Sequence, residues 1–98
     1  MFAGLYFKAI ETRDTHPNSR VSIVRVEVGG RIEAHIHEVE TETAYVISGQ
    51  GVIFFGEDEF PFSAGMVTTV VPGTRHGVRN TGDVPMEVFA IHTPPVQS

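Results

Sequence analysis

A chain of 98 residues with 7 Lys and Arg against 12 Asp and Glu carries a formal charge of −5, which argues against nucleic-acid or anionic-membrane partners, since both call for clustered positive charge. Hydrophobic residues at 41% and charged residues at 19% are the proportions of an ordinary globular protein, and the length suits one domain spanning residues 1–98. Cysteine is absent, so there are neither disulfides nor thiolate metal sites, and any metal must be held by nitrogen and oxygen.

The opening segment, Met1 to Phe7, is apolar but far short of the ~20 residues a transmembrane helix needs. It lacks a basic start and leads into Lys8 rather than a cleavage site, so it is not read as a signal peptide, and a cytoplasmic location is expected. Phe2 to Phe7 fit either a strand of the protein's own barrel or one that adds to a partner. His16 lies in the turn-like Thr15-His16-Pro17-Asn18 and reads as a surface residue. Val21 to Val28 is rich in β-branched residues and stops at Gly29-Gly30, which marks a strand. Next comes His35-Ile36-His37, then the acidic stretch Glu38-Val39-Glu40-Thr41, which reads as a solvated loop.

Ala44 to Ile47 is a second apolar run, halted by Ser48-Gly49-Gln50-Gly51. Val52 to Phe55 follows at once, and the spacing predicts a tight hairpin between the two runs. Gly56-Glu57-Asp58 predicts another turn. Asp58 to Phe62 contains Pro61, which suits an edge strand. Met66 to Val71 and Met86 to Thr93 are further strands, separated by the turn signal Asn80-Thr81-Gly82-Asp83, and Pro94-Pro95 opens an extended tail. No window shows a capped helical period, so the chain is all-β, with the short strands and frequent turns of a sandwich or barrel.

Within that frame the histidines carry the chemistry. Side chains alternate along a strand, so His35 and His37 share one face, about 7 Å apart. Two imidazoles there form either a chelating pair or an exposed surface pair. Glu42, Ala44 and Val46 share another face, so the two apolar residues are candidates for a pocket floor. His92 shares parity with Val88 and Ala90, and core, surface, ligand and proton-shuttle readings are all open for it. Arg75 and Arg79 read as exposed; an arginine facing the pocket would favour an anionic substrate.

The surroundings of these residues resemble the two motifs of the cupin superfamily. Gly29, His35, His37, Glu42 and Gly49 match glycine-x5-His-x-His-x4-Glu-x6-glycine. Gly65, Val71, Gly73, His76 and Asn80 match the second motif, glycine-x5-Pro-x-Gly-x2-His-x3-Asn, except that Val71 stands where proline is usual and Pro72 follows it. Met66 also replaces the aspartate that often follows the first glycine. The resemblance covers residues 29 to 80, and it is to small single-domain members of the superfamily. It implies a double-stranded β-helix (jelly-roll) barrel in which His35, His37, Glu42 and His76 hold one divalent transition metal. Three imidazoles and a carboxylate suit Mn, Fe, Co, Ni, Cu or Zn and disfavour Ca and Mg. Four protein ligands leave two positions of a six-coordinate metal for a substrate or ligand. Glu38 and Glu40 are not selected by the motif spacing, and Asn80 is expected to start a turn rather than to touch metal.

Such proteins include dioxygenases, decarboxylases and isomerases of small molecules as well as non-catalytic binding proteins, so fold does not settle activity. The expectation is a metal-dependent enzyme acting on a small oxygen-bearing organic molecule. The alternative is a non-catalytic binder of metal or small ligand, or a protomer that metal merely stabilises. A homodimer paired through its sheets is also expected.

Overall fold

The computed structural model of the chain describes residues 5–11 and 19–94. The surface reading of His16 and the extended tail beyond Pro94 fall outside these residues. The described strands are β1 (Leu5–Glu11), β2 (Arg20–Val26), β3 (Arg31–Ile36), β4 (Thr41–Ser48), β5 (Gln50–Phe55), β6 (Asp58–Ser63), β7 (Val67–Val70), β8 (Arg75–Asn80) and β9 (Met86–Thr93). They form two antiparallel sheets, β1-β2-β9-β4-β7 and β3-β8-β5-β6, and no helix occurs among the described residues. This is the expected all-β barrel. Leu5 to Phe7 pair with Val24 to Val26 of the same chain, so that part of the apolar start belongs to the protein's own sheet.

The strands form where β-branched residues alternate with polar ones. On β9, Met86, Val88, Ala90 and His92 are buried; on its neighbour β2, so are Val26, Val24, Ser22 and Arg20. The two series run side by side in register, from Val26 beside Met86 to Arg20 beside His92. The interior therefore grades from apolar to polar along the strands. Val24, Val26, Ala44, Val46, Ile53, Phe62, Val78, Met86 and Val88 make up the core cluster. Each fully buried Val, Met or Phe contributes about 1.5–3 kcal/mol, and this cluster braces the barrel while the polar end is left for chemistry. Phe62 is buried and Phe55 packs against the cluster, whereas Phe60, two residues before Phe62 on the same edge strand, is exposed.

Asn80 closes the apolar end. Its Nδ2 donates to the Val26 and Val84 carbonyls at 3.0 and 2.9 Å, and its Oδ1 accepts the Gly82 N–H at 2.8 Å. It thus builds the expected turn, through side-chain bonds rather than a left-handed backbone: the positive-φ residues among those described are all glycines.

One expectation is corrected. β4 and β5 do not form a hairpin: β4 pairs with β7 and β9, β5 with β6 and β8, and the chain crosses from one sheet to the other at Gly49. With only Gly49 between the strands, and both edges of each taken, they have no means to pair. Gly49 has φ +96°, and a Cβ there would lie 2.7 Å from the Met86 Cα. The turn at Gly56 does join a hairpin, β5 to β6, and β6 is an edge strand as its proline predicts.

Candidate metal centre

Each sheet contributes one cross-strand pair to the polar end of the interior. In the smaller sheet His35 of β3 is the Cα partner of His76 of β8. In the larger sheet Glu42 of β4 is the partner of His92 of β9. A register shift in β3 between Ile32 and His35 keeps both of those residues opposite inward positions of β8. His37 lies just past the end of β3, and its carbonyl accepts the Gly73 N–H at 2.8 Å, which ties it to the turn before His76.

The ring orientations follow from their acceptors. His35 Nδ1 donates to the Glu33 carbonyl and His76 Nδ1 to the Thr74 carbonyl, both at 2.9 Å. A carbonyl can only accept, so these Nδ1 atoms carry protons and the Nε2 atoms face the interior. His37 Nδ1 lies 3.4 Å from Glu40 Oε1. Three Nε2 atoms then converge with Glu42: His35 Nε2 is 3.2 Å from His37 Nε2, and Glu42 Oε1 is 3.4 Å from both His37 Nε2 and His76 Nε2. The ligand atoms of His35, His37, Glu42 and His76 all lie within 4.8 Å of one another. A cation with bonds of about 2.1 Å separates neighbouring ligand atoms by about 3 Å and opposite ones by about 4.2 Å. The four residues fit such an ion: lone pairs of neutral imidazoles brought this close repel unless a positive centre sits between them.

Charge in the site is uneven. Burial works against ionising Glu42, but the imidazoles of His37, His76 and His92 outweigh it and hold the carboxyl well below its usual range. Burial pulls the His76 pKa down, yet Glu42 and the Thr74 carbonyl more than compensate, and it ends above its ordinary value. His35 ends below, chiefly through burial, with His76 and His37 adding to the effect against the Glu33 carbonyl.

The structure brings all four motif residues together. It also adds three that sequence reasoning did not place. His92 is buried, and its Nε2 donates to Glu42 Oε1 at 3.0 Å; its shared parity with Val88 and Ala90 was the available signal, but only the register with Glu42 turns parity into contact. Glu38 is exposed as a loop residue should be, whereas Glu40 is not solvated: its side chain is 16% exposed and stands against His37. The loop folds back there because His37 presents Nδ1 outward, to a carboxylate. Arg75 is exposed and Arg79 reaches Glu59 at 3.3 Å, while Arg20 is buried. Ala44 and Val46 are buried beyond Glu42, as their shared face predicts.

Similarity to known proteins follows the same lines. A family model described as the cupin domain matches residues 22–92. An oxalate-binding protein of Thermotoga maritima is 31% identical over 68 residues, covering 69% of this chain and 56% of that protein. An uncharacterised protein of Methanocaldococcus jannaschii is 29% identical over 70 residues, covering 71% of this chain and again 56% of the relative. The chain thus matches little more than half the length of these relatives. Among solved structures, one from Thermotoga maritima described as a predicted oxalate decarboxylase superposes with a TM-score of 0.86 at 25% identity, over 92% of this chain and 80% of that one. A Klebsiella pneumoniae protein described as having a double-stranded β-helix domain gives 0.87 at 22% identity, over 98% and 82%, which speaks to fold alone.

Proposed function

The chain belongs to the cupin domain family, and from that premise we propose that it is a metal-dependent enzyme acting on a small oxygen-bearing organic molecule. The observation that carries this reading is the convergence of three Nε2 atoms and Glu42 Oε1, with each imidazole held from behind. A divalent Mn, Fe, Ni, Cu or Zn bound there would supply Lewis-acid polarisation of a coordinated oxygen, or redox chemistry, at its remaining positions. The protein's own part is positional. The Glu33 and Thr74 carbonyls and the Glu40 carboxylate fix the rings, His92 steadies Glu42, and the apolar core keeps water from the far end of the barrel.

Elemental analysis of wild type beside His76→Ala tests the reading. About one transition metal per chain in the wild type, largely lost in the variant, is the expected result. A wild type that takes up no metal even on reconstitution removes the reading.

A second reading has a specific basis: one relative is named an oxalate-binding protein, and a chain that binds without turnover would use the same residues. Saturable binding of small acids with no product over long incubation would favour it. We also propose a homodimer formed through the outer face of the larger sheet, where Tyr45, Ile47 and Val67 are exposed and Tyr45 is the Cα partner of Val67.

A further inference from the structure

Phe60 is an aromatic residue that faces inward and is not covered. Directly opposed residues of an antiparallel pair point to the same face of the sheet. Phe60 is opposite Ile53, and Phe62 is opposite Gly51. Ile53 and Phe62 are 4% and 1% exposed, so Phe60 is turned to the interior with them, yet it is 49% exposed. Phe55, two residues beyond Ile53, shares that face and is opposite His76 of β8. The rings of Phe55 and Phe60 lie 6.0 Å apart between centroids and are tilted by 56°.

The topology explains the exposure. β6 and β7 are consecutive strands, but each is the edge of a different sheet. The turn between them is laced to β4 and the residue after it. Gly65 N–H donates to the Val46 carbonyl and Val46 N–H to the Met66 carbonyl, both at 2.9 Å, and Ala64 N–H donates to the Gly49 carbonyl at 3.0 Å. Traced away from that turn, both strands lead to the polar end, where Asp58 is opposite Phe55 and Val70 is opposite Glu42. Among the described residues no backbone hydrogen bond joins β6 to β7 along this course. Phe62, close to the laced turn, is covered. Phe60, two residues nearer the polar end, stands where the two edges have parted, so its exposure marks an opening in the side of the barrel.

That opening leads to the cluster. His35, His76 and Phe55 stand in one row across β3, β8 and β5. Strands lie about 4.8 Å apart, which puts Phe55 one strand from His76, with Phe60 against it on the open side. Single apolar residues scattered over an outer surface are ordinary; an inward pair running from the surface to a polar cluster is a different arrangement. Two tilted phenyl rings present carbon and no hydrogen-bonding group, and they favour a flat apolar partner. We propose that Phe55 and Phe60 line a side opening between β6 and β7 and hold there a flat apolar group, such as an aromatic ring, of the molecule whose oxygen faces His35, His37, Glu42 and His76. The assignment rests on reading those four residues as a metal centre, and it narrows the substrate class to oxygen-bearing molecules with an apolar substituent.

Calorimetric titration of Zn(II)-loaded protein with benzohydroxamate and acetohydroxamate tests it. Both chelate a metal through the same pair of oxygens, and they differ in carrying a phenyl or a methyl group. Wild type should bind benzohydroxamate tenfold or more tighter than acetohydroxamate. Phe60→Ala should reduce that ratio to threefold or less while still holding about one Zn per chain. Phe60→Leu, which keeps apolar bulk but not the flat face, should at least halve the ratio, and it decides alone if Phe60→Ala does not fold. No preference in the wild type, or a preference unchanged in the variants that fold, overturns the assignment. Sedimentation reads a different occupant: a wild-type dimer that Phe60→Ala dissociates means that a second copy covers Phe60, which also overturns it. Failure of the metal reading is seen separately, as wild type that takes up no Zn. In that case binding of benzyl alcohol to the metal-free protein that is lost in Phe60→Ala upholds the aromatic wall, and its absence overturns it.

Discussion

His35 and His76 face each other across two strands, yet they hold protons differently. His76 is drawn above its ordinary value of 6.5 by Glu42 despite burial, and His35 is pushed below it by burial and by neighbouring imidazoles. In the metal-free protein the stabilisation from His76 is full below 6.5 and is lost as pH rises through its raised folded value. Glu42 and His35 have the opposite sign: their contributions are present above 4.5 and 6.5 respectively and are lost as pH falls through their lowered values. Urea midpoints in chelator across about pH 4 to 9 should therefore peak near the ordinary histidine value and decline on both sides. Metal competes with the His76 proton, so Zn(II) affinity should begin to fall while the pH is still above 6.5, which a competitive chelator titration would read. Asn80 gives a contrasting test at the far end of the same strand. Asn80→Ala strips three hydrogen bonds and should cost about 3 kcal/mol in urea unfolding, with Zn(II) stoichiometry unchanged.

Among the strands, legibility depended on what kind of information each feature needed. β-branched alternation marks β2, β4 and β9 and correctly sorts Ala44 and Val46 from Tyr45 and Ile47. Alternation says which face a residue takes but not which strand lies beside it, and so the Ser48–Gly51 stretch looked like a hairpin when it is a crossing between sheets. His35, His37, Glu42 and His76 were legible because their chelating pattern is written in short spacings along the chain. His92 and Arg20 were not, because what gives them meaning is register: neither has a chelating spacing within its own strand, and only pairing sets it beside Glu42 or His92. The crossing itself should be intolerant of side chains. Gly49→Ala meets both a positive φ and the Met86 backbone, and it should destabilise by about 2–4 kcal/mol, measurable as a lowered urea midpoint.

The whole barrel has a direction, apolar at the Val26–Met86 end and polar at the Arg20–His92 end. Its outer face has another, with Tyr45, Ile47 and Val67 exposed together. Sedimentation should give a species near twice the 10.7 kDa chain mass, and the double variant Tyr45→Lys, Val67→Lys should shift it to the monomer; a wild type that sediments as a monomer at every concentration removes the dimer. The pairing of β2 with β9 has a temporal consequence. Strands that lie about two thirds of the chain length apart must find each other before Arg20, His92 and Glu42 stand in one row, and closing so long a loop is slow. Until β9 docks, His35, His37, Glu42 and His76 lack the strand that steadies them. Capture of the ion should accordingly trail chain collapse during refolding, and its rate should report the docking of β9.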